Sequence, residues 1–572
     1  MVAIPASSGH AQGLLIADGG QSPYRIVISQ SAPPSERHAA AELQNFLKQI
    51  CGAELPVLTD DVPLSENEII LGDNAHLGAL GVEVGWQGLG EEGYVIETVG
   101  PHLVIAGGKP RGTLYGVYGF LEEHLGCRWF SSTVSRIPRL DRVEIGRIQE
   151  IKVPVLEYRE PFYTDAFDAD WAARNRMNGN YAALDEERGG KVTYSHFVHT
   201  FNQLVPPDQY FADHPEYFSE REGKRIGETT QLCLTNPEVV RIATEKVKEW
   251  IREAPEAKIF SVSQNDCGNW CECDKCRELD EREGSHSATI LNFVNQIAEA
   301  IEKEYPDKLI DTLAYAYSRK PPKTIRPRHN VIVRLCSIEC CFSHPLESCE
   351  QNRSFREDIE AWSKVADRLY VWDYVTNFSH YVMPFPDLDV LQPNIRFFVQ
   401  HNVKGIFEEG NYSSGGGELA ELRAYLLAKL LWNPDCDVAA ARQEFLEAYF
   451  GPAAEPIAQY IDLLHSKVER ENIHVRIFDP PTSAYLTSDL IGQADALFDR
   501  AEALAQDEKT LQRVKVARLP IQYVHIATSA PDAPGRRELI DQFMEVARNA
   551  GITNINEQER LEDWPVLKPP EK

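Results

Sequence analysis

The most informative stretch of this chain is Ile259-Phe-Ser-Val-Ser-Gln-Asn-Asp266, an apolar run that ends abruptly in an amide and a carboxylate. Four cysteines follow within ten residues, at Cys267, Cys271, Cys273 and Cys276. Barrel enzymes present their catalytic groups at the C-terminal tips of buried strands. The stretch therefore predicts a barrel strand that delivers Asp266 to an active site.

Seven further strand candidates surround this one and alternate with helix-forming stretches. Their number and spacing predict a (β/α)8 TIM-like barrel, class α/β, over residues 151–435. A long loop at 206–230 follows the third candidate, and long loops often line sites. The eight candidates are 155–162, 176–181, 196–201, 258–264, 310–317, 331–338, 369–375 and 405–407.

The flanking regions differ from the barrel in their patterns. Residues 1–150 predict a small α/β domain, in which the glycines of 111–130 favour close helix–sheet packing over a phosphate loop. Beyond residue 435 the strands stop, and amphipathic periodicity predicts an α-helical C-terminal domain over 436–572. Its predicted helices are 438–450, 455–469, 487–505, 511–528 and 535–550.

Composition excludes several classes of partner. The chain has 572 residues and a net charge of −29, which disfavours nucleic acid and anionic membranes. We expect no membrane span, because no apolar run approaches the roughly 18 residues required. Met1–Gly20 has no signal-peptide pattern, so a cytoplasmic protein and a secreted one whose signal has been removed both remain open. A homo-oligomer assembled through the C-terminal helices also remains open.

The predicted strand ends are rich in carboxylates and aromatic side chains. Aromatic faces stack on sugar rings, and paired carboxylates suit cleavage of a glycosidic bond. We therefore expect a small carbohydrate substrate, although acids at barrel ends also form ordinary ion pairs. Asp266 and Asn265 are the candidate catalytic residues, and the candidate substrate-binding residues are Arg159, His199, Tyr315, Trp372, Asp373, Glu408 and Glu409.

The cysteine cluster admits three interpretations. In the first, structural zinc takes four ligands from Cys267, Cys271, Cys273 and Cys276, or a cysteine of the sixth strand region completes the set, one of Cys336, Cys340, Cys341 and Cys349. Disulfides, and buried free thiols, are the alternatives. In each case the predicted role is to stiffen the loop behind Asp266, and we expect no cofactor to be required for catalysis.

The region from Ser261 to Asn411 resembles a family of carbohydrate-active bacterial proteins, domain of unknown function 4838. The resemblance rests on Ser-Gln-Asn-Asp at 263–266, Cys-x-Cys-x-x-Cys at 271–276 and Leu-Ile-Asp-Thr-Leu-Ala-Tyr at 309–315. It continues through 334–341, Trp-Asp-Tyr-Val-Thr-Asn at 372–377 and Phe-Glu-Glu-Gly-Asn at 407–411. The 22–150 region resembles the small domain that precedes the barrels of family 20 β-hexosaminidases and family 67 α-glucuronidases.

The resemblance to family 20 implies a mechanism in which the substrate's own acetamido group attacks the anomeric carbon. An Asp-Glu pair on strand four performs this chemistry in that family, the first residue orienting the acetamido group and the second donating a proton. Asn265 and Asp266 occupy those two positions here. The likeness also implies that Arg159 and Glu408 or Glu409 bind hydroxyls, Trp372 walls the pocket and Tyr315 contacts the acetamido carbonyl.

The leading hypothesis is therefore an exo-β-N-acetylhexosaminidase, with β-N-acetylgalactosaminidase activity included, that acts with retention. The resemblance to family 67 implies an alternative, an inverting α-glucuronidase in which Asp266 is the acid and Asp373, Glu408 or Glu409 is the base. A non-catalytic carbohydrate-binding protein is a further alternative. A zinc hydrolase is disfavoured, because the cysteines leave no open ligand position.

Overall fold

The computed structural model describes residues 13–567, so most of the Met1–Gly20 segment considered for a signal peptide lies outside the described residues. The chain forms two compact units. The first contains residues up to 154 together with 167–178 and 182–191. The second contains 155–166, 179–181 and everything from 192 onward, including the C-terminal helices that the sequence suggested as a separate domain.

The first unit is built on a six-stranded mixed sheet in the order β10-β5-β6-β4-β2-β3, in which β5 runs antiparallel to both of its neighbours, β10 and β6. This is the small α/β domain expected from the sequence. Its elements are β1 (Leu14–Asp18), β2 (Arg25–Ile28), β3 (Val57–Thr59), β4 (Glu68–Leu71), β5 (Tyr94–Val99), β6 (His102–Gly107), β7 (Arg128–Trp129), β8 (Ser135–Arg136), β9 (Arg142–Ile145), β10 (Gln149–Lys152), α1 (Pro34–Cys51), α2 (Ala75–Leu80), α3 (Trp86–Leu89), α4 (Gly112–Glu123) and α5 (Ala169–Arg174).

Local chemistry explains the two long helices of this unit. Helix α1 starts with Pro34 in its first turn and ends at Gly52, whose φ of 78° closes the helix in the left-handed conformation. Helix α4 packs on the sheet through Gly116, where an added Cβ would lie 2.8 Å from Ile105. The glycines of this segment therefore serve close helix–sheet packing, as predicted.

The second unit contains a parallel sheet in the order β11-β18-β17-β16-β15-β14, wrapped by helices. The predicted α/β barrel fold class is confirmed. Its elements up to the last strand and the helix that follows it are β11 (Tyr158–Phe162), β12 (Glu220–Arg221), β13 (Lys224–Arg225), β14 (Ile259–Ser261), β15 (Leu309–Ala314), β16 (Val331–Cys336), β17 (Arg368–Tyr374), β18 (Val403–Glu409), α6 (Phe201–Leu204), α7 (Pro207–Tyr210), α8 (Pro237–Glu253), α9 (Asp274–Glu283), α10 (Ser287–Glu302), α11 (Arg353–Trp362), α12 (Leu391–Gln400) and α13 (Ala420–Trp432).

Two of the eight predicted strands are not regular strands. The 196–201 candidate runs beside β14 through single backbone bonds, such as Ser261 N–H to the His196 carbonyl at 3.2 Å. It is interrupted at His199, whose φ of 57° is left-handed. The 176–181 candidate begins at Arg176, which also has a positive φ and belongs to the first unit. A side-chain hydrogen bond takes the place of strand pairing here, since the Tyr194 N–H donates to the Asn180 side chain at 2.8 Å.

Five helices after the barrel match the predicted amphipathic segments to within three residues at each end. Asp437, Thr487 and Asp507 cap the N-termini of three of them with side-chain oxygens. No helix among the described residues is long and apolar enough to cross a membrane. These helices are α14 (Val438–Phe450), α15 (Ala454–Arg470), α16 (Ser488–Leu504), α17 (Glu508–Thr528) and α18 (Arg536–Asn549).

Candidate active site

A cavity of about 330 Å³ lies at the C-terminal ends of β15, β16, β17 and β18. This volume falls within the roughly 300–1,000 Å³ range of small-molecule sites, and the position is the one that barrel enzymes use. Its wall combines carboxylates, tyrosines and apolar rings. The lining residues are His199, Asp266, Leu313, Tyr315, Cys336, Ile338, Trp372, Tyr374, Phe378, Glu409, Tyr412, Ile477, Phe478 and Glu557.

Asp266 lies just beyond β14 with its carboxylate exposed to this cavity. The Tyr315 hydroxyl, at the end of β15, donates a hydrogen bond to Asp266 Oδ1 at 3.2 Å. Burial and the nearby Asp266 carboxylate raise the pKa of Tyr315, so this hydroxyl keeps its proton. The two residues present one acceptor and one donor side by side.

Asn265 does not line the cavity, in contrast to its predicted contact with substrate. Its side chain is buried and donates to the Thr230 carbonyl at 2.7 Å and to Asn202 Oδ1 at 2.9 Å. Its Oδ1 accepts from Asn202 N–H at 3.1 Å. Because these partners use its donors and its acceptor, Asn265 ties the loop after β14 to its neighbours and positions Asp266.

Glu409 ends β18 and faces the same cavity, although only 8% of the residue is exposed. Trp372 on β17 donates its indole N–H to Glu409 Oε2 at 2.8 Å. Burial, together with the carboxylates of Glu557 and Asp266, raises the pKa of Glu409 to about 8. Glu409 is thus a protonated carboxylic acid at neutral pH.

Asp373 and Glu408 lie behind the wall and are not among the residues that line the cavity. Asp373 accepts a hydrogen bond from the Ser337 hydroxyl, and burial raises the pKa of Asp373 to about 6. Burial and the neighbouring Asp373 raise the pKa of Glu408 well above its ordinary range. These two predicted substrate-binding residues therefore form a buried carboxyl pair beside Glu409.

His199 lines the cavity, as expected for a substrate-binding residue. Its Nδ1 lies 2.8 Å from the Gln264 carbonyl, which only accepts hydrogen bonds, so Nδ1 is the donor of this bond. Its left-handed backbone is held by a bond from His199 N–H to the Ser263 hydroxyl at 2.9 Å. This strained conformation beside a cavity is typical of functional sites.

Arg159 is fully buried and does not line the cavity, unlike the sugar-binding arginine that the resemblance implied. Its guanidinium donates to the Leu156 carbonyl at 2.6 Å and lies over the Trp432 ring of α13. A different arginine, Arg334 on β16, occupies the barrel interior, bonded to Asp311 at 3.3 Å. Its guanidinium lies 5.8 Å from the Trp372 ring centre and supports the cavity floor from below.

The sequence missed the part of the wall that comes from the C-terminal region. Ile477 and Phe478 follow α15, and Glu557 follows α18. Glu557 accepts a hydrogen bond from the Tyr412 hydroxyl at 3.1 Å. No local pattern marks these loop residues, because only the packing of the C-terminal helices against the barrel brings them to the site.

The cysteine cluster differs from the prediction by one member. Cys271, Cys273 and Cys276 meet Cys233, which lies after the long 206–231 loop, and the four sulfurs lie within 4.8 Å of one another. The thiol of Cys267 instead contacts Gln231 and Thr230. All twelve cysteines lie among the described residues, and no disulfide links any of them. Cys233 was missed because it is distant in sequence.

The four sulfurs have a geometry that suits a tetrahedral zinc ion. Zn–S bonds of about 2.3 Å place ligand sulfurs about 3.8 Å apart, and Cys233 Sγ lies 3.7 Å from Cys273 Sγ. Arg225 and the Glu220 N–H both point at Cys271 Sγ, at 3.6 and 3.5 Å, as donors to a thiolate would. A zinc ion here would be structural, joining the 206–231 loop to the segment behind Asp266.

We expect Cys233→Ser to abolish zinc binding at this cluster and to lower the melting temperature, whereas Cys267→Ser should leave both unchanged. The reason is that only Cys233 lies within ligand distance of the other three sulfurs. Elemental analysis and thermal unfolding of the purified variants measure both effects. A loss of one zinc per chain in Cys267→Ser, with the full zinc content of the parent in Cys233→Ser, would restore the ligand set predicted from the sequence.

Two protein-family models match parts of this sequence. Residues 129–462 match the family model described as a domain of unknown function (DUF4838), and the chain belongs to this family. Residues 18–120 match the model of the glycosyl hydrolase family 67 N-terminus. No functionally curated protein matches the sequence.

The solved structures to which the chain is similar include glycoside hydrolases. A family GH115 4-O-methyl-α-glucuronidase with specificity for decorated arabinogalactans aligns with a TM-score of 0.60 at 13% identity, over 96% of this chain and 80% of that one. A Clostridium perfringens family 89 glycoside hydrolase gives 0.49 at 11% identity, over 90% and 65%. A Streptomyces plicatus N-acetyl-β-hexosaminidase gives 0.41 at 10%, over 76% and 91%.

Proposed function

We propose that this protein is a glycoside hydrolase that removes a terminal N-acetylhexosamine by substrate-assisted, retaining catalysis. The observation that carries the proposal is a sugar-sized cavity lined by both Glu409 and the Asp266–Tyr315 pair, in which the raised pKa of Glu409, about 8, favours its protonated form. Two carboxyl groups in one cavity suit the division of work in glycosidases between a proton donor and a partner that stabilises positive charge.

The Asp266–Tyr315 pair is complementary to an acetamido group. Such a group has one N–H donor and one carbonyl acceptor, and Asp266 and Tyr315 offer the matching acceptor and donor 3.2 Å apart. The rings of Trp372 and Tyr374 supply apolar surface for the sugar face and the methyl group. A plain hexose has a hydroxyl in place of the acetamido group, so it cannot engage Asp266 and Tyr315 with a separate N–H and carbonyl.

The proposed reaction has two steps. Glu409 gives its proton to the glycosidic oxygen as the acetamido carbonyl oxygen attacks the anomeric carbon, so the C–O bond to the aglycone breaks and a cyclic oxazolinium forms. Asp266 accepts the substrate N–H and balances the positive charge that develops there. Water then attacks the anomeric carbon from the vacated face and gives a proton back to Glu409, which restores the acid. The bond between the anomeric carbon and the oxazolinium oxygen breaks in this step, which regenerates the acetamido group.

This assignment moves proton donation from Asp266, where the resemblance to family 20 put it, to Glu409. Glu409 supports that role better because its raised pKa of about 8 keeps it protonated at neutral pH. Asp266 takes the orienting role, since the buried side chain of Asn265 is occupied by Thr230 and Asn202. Of the pair Asn265 and Asp266, Asp266 thus contacts the substrate and Asn265 positions Asp266.

The charge of the wall disfavours an α-glucuronide as substrate. Among the described residues that line the cavity there are three carboxyl residues and neither lysine nor arginine. A glucuronate carboxylate would meet repulsion without a cationic partner, at a cost in binding. The acid Glu409 at the cavity wall also supports an enzyme over a non-catalytic sugar-binding protein, which has no need for a proton donor.

A panel of chromogenic glycosides tests the proposal. We expect turnover of p-nitrophenyl N-acetyl-β-glucosaminide or N-acetyl-β-galactosaminide, and at least 100-fold lower kcat/KM on the matching sugars that lack the acetamido group. A thiazoline analogue of the cyclic intermediate should inhibit competitively. Equal turnover of hydroxyl and acetamido sugars, or preference for a glucuronide, would contradict the substrate-assisted mechanism.

A further inference from the structure

A second group of metal-ligating side chains lies apart from the first, in the loop after β16 and the segment after α15. It contains Cys341, His344, Cys349 and His474, with one ligand atom of each within 4.8 Å of the others. Cys341 Sγ lies 3.3 Å from His344 Nδ1 and 3.3 Å from His474 Nδ1. Cys349 Sγ lies 3.6 Å from His474 Nδ1.

These distances correspond to the edges of a zinc tetrahedron. With Zn–S near 2.3 Å and Zn–N near 2.0–2.1 Å, a tetrahedral ion places sulfur and nitrogen ligands about 3.5–3.6 Å apart. The three measured sulfur–nitrogen distances span 3.3–3.6 Å. Two thiols and two imidazoles also form one of the established ligand sets of structural zinc.

We propose that Cys341, His344, Cys349 and His474 form a structural Cys2His2 zinc site. All four positions of the tetrahedron are filled by protein, which leaves none for water or substrate, so the site is structural and not catalytic. Cys341 and Cys349 are buried, and the two histidines are partly buried, as expected for an ion shielded from exchange.

The site joins two parts of the chain that are far apart in sequence. Three ligands lie between residues 341 and 349, and the fourth, His474, lies 125 residues beyond Cys349. Backbone bonds already align the two segments, with Phe342 N–H donating to the Val475 carbonyl at 2.9 Å. The Ser343 hydroxyl donates to the Ile473 carbonyl at 2.7 Å. A zinc ion would hold these two segments together, and we call the place where they meet the junction.

The junction bears directly on the cavity, an argument that rests on the proposed function. Ile477 and Phe478 follow His474 by three and four residues and form part of the cavity wall. Phe478 is 57% exposed, so little packing of its own holds it there. Fixing His474 therefore fixes the apolar wall that the C-terminal region contributes, and its loss should weaken substrate binding more than it slows the chemical step.

Zinc content of the full-length protein and of matched variants tests the site. His474→Ala should contain one zinc per chain less than the parent, whereas the exposed control His329→Ala should contain the same amount. Cys233→Ser removes the first cluster, so any zinc or cobalt that it binds reports the second site alone. X-ray absorption of this variant loaded with Zn²⁺ should show two sulfur and two nitrogen ligands.

Two outcomes would overturn the proposal. One is unchanged zinc content in His474→Ala. The other is a Cys233→Ser protein whose absorption spectrum shows sulfur ligands only, or that binds no metal; absence of metal would indicate a hydrogen-bonded cluster of thiols and imidazoles. The spectrum does not depend on the His474 variant being folded. Zinc counting also requires no turnover, so it stands even if the proposed glycosidase activity is absent.

Kinetics test the assigned effect on the cavity wall. On an N-acetylhexosaminide that the parent cleaves, His474→Ala should raise KM about 10-fold and leave kcat within about threefold, because the wall binds substrate without taking part in bond breaking. An unchanged KM in the zinc-depleted variant would show that the junction does not support the wall.

Discussion

Replacing Glu409 by Gln is expected to lower kcat/KM on a p-nitrophenyl N-acetylhexosaminide by about 100- to 10,000-fold, the range associated with a general acid. Glutamine has the shape of the protonated acid and can keep the contact with Trp372, but it has no proton to transfer to the leaving oxygen. The loss should shrink sharply on a dinitrophenyl glycoside, whose leaving group departs without protonation. The exposed Glu447→Gln on α14 serves as the matched control.

The same residue predicts the pH profile. Glu409 acts in its protonated form, and burial with its carboxylate neighbours sets its pKa at about 8. Activity should therefore be retained below that pH and should decline as pH rises through about 8. Measurement of kcat/KM from pH 5 to 10 shows this limb in the parent. A parent profile that stays flat through pH 9 would exclude Glu409 as the proton donor. So would a Glu409→Gln variant whose loss of activity on the dinitrophenyl substrate equals its loss on the p-nitrophenyl substrate.

Asp266→Asn is the second change with a large expected effect, a fall of about 100- to 1,000-fold in kcat, comparable to the loss of one group that stabilises transition-state charge. The amide cannot balance the charge of the oxazolinium, and its N–H2 group competes with Tyr315 for the substrate carbonyl. Asp213→Asn, at an exposed position away from the cavity, is the control.

The leaving-group series separates the two roles that a carboxylate at position 266 can play. As an orienting group, Asp266 should be equally important for p-nitrophenyl and dinitrophenyl substrates, because cyclisation is needed in both. As the proton donor that the sequence suggested, it would become dispensable with the better leaving group. Activity within a few-fold of the parent on both substrates would exclude Asp266 from catalysis.

Local patterns in the sequence were sufficient to predict much of this architecture. The apolar runs before Asp266 and Glu409 are buried parallel strands whose ends meet at one cavity, because the six strands of this sheet run in the same direction. The amphipathic helices beyond residue 436 were predicted with similar accuracy, since helix periodicity and capping residues are local properties. The 176–181 segment was misassigned as a strand, because the positive φ at Arg176 is not evident from its side chain.

The properties that make the site chemically specific depend on residues distant in sequence. Asn265 and Asp266 are adjacent but have different roles, because Thr230 and Asn202 bind the side chain of Asn265 and leave that of Asp266 exposed. Cys233 joins a cysteine cluster about forty residues away, and Glu557 reaches the cavity from beyond the last helix. The spacing of apolar residues indicates which face of a helix or strand is buried. The pKa of Glu409, in contrast, depends on desolvation and on neighbouring charges that only the folded chain brings together.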